Sequence, residues 1–177
     1  MTCIVGLVVE GIVYIGGDSA GVSGLNLNVR KDSKVFKNGN FLIGYTSSFR
    51  MGQILRYKFS PPNYYSDKEV YEYMVAVFVE EIRKCFKNYG YATVQNNQES
   101  GGAFLVGFKN RLFRIESDYQ VCENVLPFDA VGCGAEFARG SLYTSTDKPK
   151  NRILKALQAA QEFSAGVREP FIIKNTK

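Results

Sequence analysis

The opening of the chain carries two apolar runs around a single turn, and this pattern most constrains the fold. The first run, residues 3–9, is apolar almost throughout, and the second, residues 12–15, follows Glu10 and Gly11. Because glycine suits the tight turn of a β-hairpin, the two runs predict two antiparallel strands. A strand without polar alternation is covered on both faces. We therefore expect the first strand to be buried from both sides.

Strand and helix patterns follow in blocks along the rest of the chain. Strands are predicted at 34–36, 41–45, 103–108, 112–115, 121–125, 128–131 and 170–174. Helices are predicted over 49–59, over 70–85 behind a capping box at 66–69, from Gly134 onward, and over 153–163 with Gly166 as the C-cap. Residues 24–28 and 87–100 are expected to form loops.

This order of elements predicts an α+β fold in one domain over residues 1–177. Two antiparallel sheets are expected to face each other with helices on the outside, which is a four-layer α/β/β/α sandwich. The sequence has no linker and no internal repeat.

The residue inventory removes several kinds of chemistry. The chain contains no histidine, so a Ser-His-Asp or Cys-His triad cannot be built and the common histidine-containing zinc sites are excluded. The cysteines lack CxxC spacing and are interpreted as buried free thiols: Cys3, Cys85, Cys122 and Cys133. We expect neither a metal nor a cofactor.

Charge and hydropathy limit the expected partners. No run of about 18 apolar residues exists, and Glu10 interrupts the first apolar stretch too early for a signal peptide. We therefore expect no membrane partner and a cytoplasmic protein. The formal charge is +5, but the basic residues are spread along the chain. Because a nucleic-acid footprint needs clustering on one face, no nucleic-acid partner is expected.

Without histidine, a hydrolase must find its general base elsewhere, and an N-terminal threonine can supply one. Removal of Met1 would leave Thr2 with a free α-amine, whose pKa near 8 allows it to take the hydroxyl proton directly or through a water. Asp18 lies sixteen positions after Thr2, at the end of the second predicted strand, and Lys34 lies sixteen positions after Asp18, at the start of another. A lysine beside the threonine would lower the amine's proton affinity and stabilise an alkoxide, and a carboxylate would hold the lysine.

These residues resemble a known family. Thr2, Gly17–Asp18 and Lys34–Val35, at these separations, are similar to the proteasome β-subunit and HslV (ClpQ) family of N-terminal-nucleophile (Ntn) hydrolases. Residues 2–6 resemble its mature N-terminus, and residues 130–134, followed by Phe137–Ala138, resemble its Ile-Gly-Ser-Gly segment. The resemblance is spread over most of the chain, and the length fits the short HslV form.

The resemblance implies a threonine endopeptidase of the Ntn fold that works through an acyl-enzyme intermediate. Thr2 would be the nucleophile and, through its amine, the base; Lys34 would tune the pocket and Asp18 would orient Lys34. The backbone N–H of Ser47 would serve the oxyanion hole, and Cys133 stands where a serine commonly supports the threonine amine. The family also implies polypeptide substrates, stacked rings with inward-facing sites and, in HslV, an AAA+ ATPase partner.

Departures from the family pattern leave two alternatives open. Ser47 replaces the usual glycine, so its turn must avoid positive φ or carry strain, and Cys133 is a poorer hydrogen-bonding group than serine. The C-terminal Asp/Ser support has only Glu169 as a candidate within residues 166–170. If Met1 stays attached, the threonine amine is acylated. A non-catalytic shell or interaction protein is one alternative, and an Ntn amidase acting on a small molecule is the other.

Overall fold

The protein is described by a computed structural model that covers residues 1–177. In chain order the strands are β1 (Cys3–Val9), β2 (Ile12–Gly17), β3 (Ala20–Ser23), β4 (Asn26–Val29), β5 (Val35–Asn38), β6 (Phe41–Tyr45), β7 (Thr93–Gln95), β8 (Gln98–Ser100), β9 (Phe104–Phe108), β10 (Arg111–Ile115), β11 (Val121–Cys122), β12 (Phe128–Gly132) and β13 (Ile172–Asn175). The helices are α1 (Phe49–Tyr57), α2 (Val70–Tyr73), α3 (Val79–Asn88), α4 (Ala135–Thr144) and α5 (Pro149–Phe163), with a π-helical segment, Met74–Phe78, joining α2 to α3. The mixed α+β class is confirmed.

Two antiparallel sheets carry most of the strands. The four-stranded sheet has the order β12-β1-β2-β13, and the five-stranded sheet has the order β11-β10-β9-β6-β5. β1 and β2 form the predicted hairpin, with Ile4 opposite Gly17 and Val9 opposite Ile12. Its turn takes positive φ at Glu10 and Gly11. The last strand, β13, pairs with β2, so the two ends of the chain meet in one sheet.

Three apolar clusters show how the layers contact each other. The largest joins the five-stranded sheet to α1, α2, the π-helical segment and α3. A second joins the four-stranded sheet to α4 and α5, and the third contains residues of both sheets. β1 contributes Val5 to the helix side and Ile4 to the sheet side, both fully buried. The expected burial of β1 on both faces is therefore confirmed.

The long helical stretch begins at Val70, as predicted, but its capping residue differs from the prediction. Its N-cap is Glu69, whose side chain accepts a hydrogen bond from the Glu72 N–H, so the predicted capping box based on Ser66 is wrong. The carboxylate of Glu69 also pairs with Arg111. These contacts hold Glu69 at the cap position, directly before the first helical residue, Val70.

Other boundaries also depart from the sequence prediction. The stretches 24–28 and 87–100 are not simple loops, because the β3–β4 and β7–β8 hairpins form there with largely exposed strands. The strand predicted at 121–125 is only two residues long. α5 ends with Ser164 as its C-cap, so the assignment of Gly166 is wrong. None of the helices has the length and apolar character needed to cross a bilayer.

Phe78 offers a test of the largest cluster. Its ring is fully buried, lies 4.7 Å from the Phe41 ring centroid and meets Phe59 edge to face. Phe78→Ala should lower the free energy of unfolding by about 3–5 kcal/mol, because it removes apolar contacts and leaves a cavity. Chemical denaturation measures this change. Phe163→Ala is the control, since that ring is 68% exposed and its loss should cost far less. Equal losses in both variants would contradict this account of the core.

Candidate active site

Three polar side chains meet at the open end of the β1–β2 hairpin, opposite its turn. Thr2 directly precedes β1, Asp18 directly follows β2, and Lys34 directly precedes β5. The Lys34 Nζ lies 2.8 Å from Thr2 Oγ1 and 2.8 Å from Asp18 Oδ1. Thr2 is 4% exposed, while Asp18 and Lys34 are each 2% exposed. Ends of strands from both sheets therefore bring a hydroxyl, an ammonium and a carboxylate into one buried cluster.

The carboxylate of Asp18 is saturated with hydrogen bonds. Its Oδ1 accepts from the Cys3 N–H at 3.0 Å as well as from Lys34, and its Oδ2 accepts from the Ala20 N–H at 2.8 Å and the Arg168 N–H at 3.3 Å. Burying a charge is costly unless it is paired and hydrogen-bonded, and Asp18 meets both conditions. The three backbone donors come from separate parts of the chain, so the carboxylate ties those parts together.

The environment of Lys34 shifts its acid–base equilibrium. Burial lowers the pKa of its ammonium below the usual value, while the charge and the hydrogen bond of Asp18 act in the opposite direction. The net direction is downward because desolvation disfavours the charged form more than the single carboxylate favours it. A cation held in this way lies next to the Thr2 hydroxyl oxygen, where it can stabilise negative charge.

Two glycines allow this close approach. A Cβ on Gly17 would lie 2.7 Å from Ile4 Cδ1 and 3.1 Å from Val35 Cγ2. Gly132 has φ of 100°, and a Cβ there would lie 2.2 Å from the Thr2 carbonyl oxygen. Larger residues at these positions would push the strands apart. The close spacing of the cluster therefore requires glycine at both positions.

Ser47 occupies the turn that follows β6, the strand that neighbours β5 in the five-stranded sheet. It has φ of 66°, in the left-handed region, where a non-glycine residue costs about 1–2 kcal/mol. The sequence left open whether this turn avoids positive φ, and the structure shows that it does not. The turn closes with a hydrogen bond of 2.8 Å from Ser48 N–H to Thr46 O, and the Ser47 hydroxyl accepts one of 3.0 Å from Ala103 N–H. The N–H of Ser47 makes no hydrogen bond within the chain.

Cys133 contacts the backbone of Thr2. The Thr2 N–H donates to its Sγ at 3.2 Å, and the thiol lies 3.4 Å from the Thr2 carbonyl oxygen. Cys133 is exposed, so its interpretation as a buried thiol is wrong; Cys85 and Cys122 are only partly buried, and only Cys3 is fully buried. The exposure arises because Cys133 follows the end of β12 at the edge of its sheet.

The C-terminal support of the cluster was incompletely predicted. Glu169 does not reach Asp18 or Thr2; its backbone N–H donates to Gln161 instead. The support comes from the backbone N–H of Arg168 and from Ser164, whose hydroxyl donates to Cys133 Sγ at 3.2 Å. Almost every residue type has a backbone N–H, so the residue type at Arg168 does not reveal this donor. Ser164 is an ordinary residue for the end of a helix. No sequence signal identified either one.

Met1 covers the cluster. Its carbonyl oxygen accepts a hydrogen bond from the Thr2 hydroxyl, and its side chain packs close to Gly166, where an added Cβ would lie 2.3 Å from Met1 Cβ. Met1 itself is 54% exposed. Elsewhere, no group of three or more Cys, Asp or Glu side chains is placed to hold a metal ion.

Solved structures share this fold over the full length of the chain. BPH from Thiobacillus denitrificans in complex with epoxomicin matches with a TM-score of 0.79 and 20% identity, covering 98% of this chain and 97% of that one. Eukaryotic HslV from Trypanosoma brucei matches with a TM-score of 0.69 and 15% identity, covering 98% of each chain. Anbu, an ancestral β-subunit, from Yersinia bercovieri matches with a TM-score of 0.66 and 14% identity, covering 99% of this chain and 81% of that one. No family model and no curated protein matches the chain.

The chain therefore has the fold of the proteasome-β-like Ntn hydrolases. The resemblance inferred from the sequence is confirmed at the level of the fold, because it extends over nearly all of this chain and of BPH and HslV.

The ion pair makes a prediction about stability. Asp18→Asn keeps the size and the acceptor oxygen of the side chain but leaves the Lys34 ammonium buried without its counter-charge. The free energy of unfolding should fall by about 3–5 kcal/mol, as for other buried pairs that lose one partner. Asp147→Asn is the matched control, because Asp147 pairs with Lys155 at the exposed surface. Denaturant titration of both variants tests this. A loss as small as that of the control would show that Lys34 is not held as a buried cation.

Proposed function

We propose that the chain is a threonine peptidase that hydrolyses peptide bonds through Thr2 after removal of Met1. The observation that carries the proposal is the buried cluster in which Lys34 Nζ lies 2.8 Å from both Thr2 Oγ1 and Asp18 Oδ1. A protein that needed only stability would be served at least as well by apolar residues in these positions. The cluster instead points an ammonium at a hydroxyl, which is useful for nucleophilic catalysis.

The proposed reaction begins at the α-amine of Thr2. Once Met1 is gone, this amine takes the proton of the Thr2 hydroxyl, directly or through a water, and Oγ1 attacks the substrate carbonyl carbon. Lys34 stabilises the developing alkoxide and keeps the proton affinity of the amine low, while Asp18 fixes Lys34. The leaving amine receives the proton, and an ester between Thr2 and the acyl part of the substrate remains.

Water then attacks the ester, with the α-amine again accepting the proton; the bond to Oγ1 breaks, Oγ1 takes that proton back, and the carboxylic acid product leaves. In both steps the tetrahedral intermediate carries negative charge on the former carbonyl oxygen. The Ser47 N–H, which has no partner within the chain, is the proposed donor to this oxygen. Cys133 has a positioning role, because its Sγ accepts a hydrogen bond from the Thr2 nitrogen.

The same proposal covers the architecture, assembly, compartment and partners of the chain. The chain is a single domain built as a four-layer α/β/β/α sandwich, which the three apolar clusters support. It assembles into rings that enclose the active sites in the cytoplasm, takes polypeptide substrates and works with an AAA+ ATPase. Support for this setting is the fold shared with HslV and Anbu.

A non-catalytic shell protein is the second candidate. Two observations favour it. The Thr2 hydroxyl donates a hydrogen bond to the Met1 carbonyl, and Thr2 is almost fully buried. Ser47 carries backbone strain that a glycine would not. A small-molecule amidase, the third candidate, would not need a ring. Light scattering distinguishes the amidase from the ring-forming candidates, because a monomer contradicts the ring proposal.

Intact mass of the purified protein tests whether the amine is free. We expect a species lighter by one methionine residue, because the small side chain of Thr2 permits removal of Met1. A protein that keeps Met1 has its amine in a peptide bond and cannot use it as a base. Full retention of Met1 in the assembled protein would therefore favour the shell protein over the peptidase.

Covalent labelling tests the nucleophile itself. BPH has been solved with epoxomicin, which supports a peptide epoxyketone as the probe. The processed wild-type protein should become labelled, and Thr2→Ala should abolish labelling while the assembly stays intact. Thr144→Ala is the control, since Thr144 is an exposed residue at the end of α4 and its loss should leave labelling unchanged. Labelling that persists in Thr2→Ala would remove Thr2 from the mechanism.

A further inference from the structure

A groove away from the Thr2 cluster collects positive charge. It is open, has a volume of about 780 Å³, and lies beside β5 and β13, which are the edge strands of the two main sheets. Five basic side chains line it: Lys31, Lys37, Arg56, Lys174 and Lys177. One carboxylate, Asp32, is among the lining residues. These basic residues are widely separated in the sequence, but they lie together on the surface of the folded chain.

Most of the positive charge of the groove is not neutralised by acidic side chains of the chain. None of its five basic side chains pairs with an Asp or Glu side chain, whereas both carboxylate oxygens of Asp32 are occupied by Arg30 at 2.8 Å. Lys37 donates to a main-chain oxygen of Lys177, the last residue of the sequence, and Arg56 donates to the carbonyl oxygen of Ser33. A concave surface with unpaired charge of one sign attracts ligands of the opposite sign.

The strands beside the groove add a second recognition element. β13 pairs only with β2, and β5 pairs only with β6, so each has one edge without a strand partner. An exposed edge can accept an extended peptide through main-chain hydrogen bonds. Lysine on an edge strand discourages pairing with a like-charged edge, so Lys174 on β13 disfavours a second copy of this chain.

We propose that the groove binds an extended acidic segment of a partner protein. The segment adds to the free edge of β13, and its carboxylates pair with the basic side chains of the opposite wall, including Lys31 and Lys37. Nucleic acid fits the groove less well, because Tyr57 is its only exposed aromatic residue and successive bases need successive stacking partners.

Fluorescence anisotropy with a labelled peptide of four Glu-Thr repeats tests the charge requirement. Thr2→Ala protein is used so that the peptide is not cleaved, which makes the result independent of the proposed peptidase activity. Binding should occur at low salt and weaken at least about tenfold in Lys31→Glu/Lys174→Glu. Lys148→Glu/Lys150→Glu, with the same change in net charge at the start of α5, should bind like the parent. Absent binding, or equal weakening in both double variants, would overturn the proposal.

A second peptide tests the pairing with the strand edge. The same sequence with N-methyl groups on alternate residues keeps every carboxylate but lacks the amide hydrogens needed on one edge. It should bind at least about tenfold more weakly than the parent peptide. Equal affinity of the two peptides would refute strand addition. A single-stranded oligonucleotide of equal charge that binds more tightly than the peptide, and loses binding in Lys31→Glu/Lys174→Glu, would reassign the groove to nucleic acid.

Discussion

The buried ion pair between Lys34 and Asp18 is the interaction on which the rest of the site depends. Removing two charges from water costs several kcal/mol for each ion, and their attraction offsets this only when the remaining hydrogen-bonding positions are filled. Here Thr2 Oγ1 takes one further position on the ammonium, and three backbone N–H groups bond the carboxylate. Two of those donors, Cys3 and Arg168, lie far from Asp18 in the sequence, so this environment requires tertiary structure. The geometry of the candidate active site therefore depends on the packing of both ends of the chain around Asp18.

Much of this arrangement could be predicted because it follows from strand ends. The uniform apolar character of β1 required cover on both sides, and the position of Asp18 at the end of β2 and Lys34 at the start of β5 indicated one shared pocket. The β3–β4 and β7–β8 hairpins could not be predicted in the same way, since their strands are mostly exposed and carry little hydrophobic alternation. The roles assigned to the clustered residues stay predictions.

The features that sequence reasoning missed depend on tertiary contacts rather than on residue type. Arg168 supports Asp18 through its backbone, so any residue there would look the same in a sequence. Ser164 reaches Cys133 only because the chain turns back after α5. Likewise, the basic groove combines residues from opposite ends of the chain, which become neighbours when β13 and β5 take their places at the sheet edges.

Met1 determines the state of both the nitrogen and the hydroxyl of Thr2. With Met1 attached, the Thr2 nitrogen is an amide, the Thr2 hydroxyl donates to the Met1 carbonyl, and the threonine is only 4% exposed. Cleavage of one peptide bond would create a basic amine, release the hydroxyl from its acceptor and open a path to it. Lys34 and Asp18 would need no rearrangement, since their mutual contact does not involve Met1. The contact between Lys34 and Asp18 is thus set by folding, whereas the chemical state of the Thr2 nitrogen depends on whether Met1 is attached.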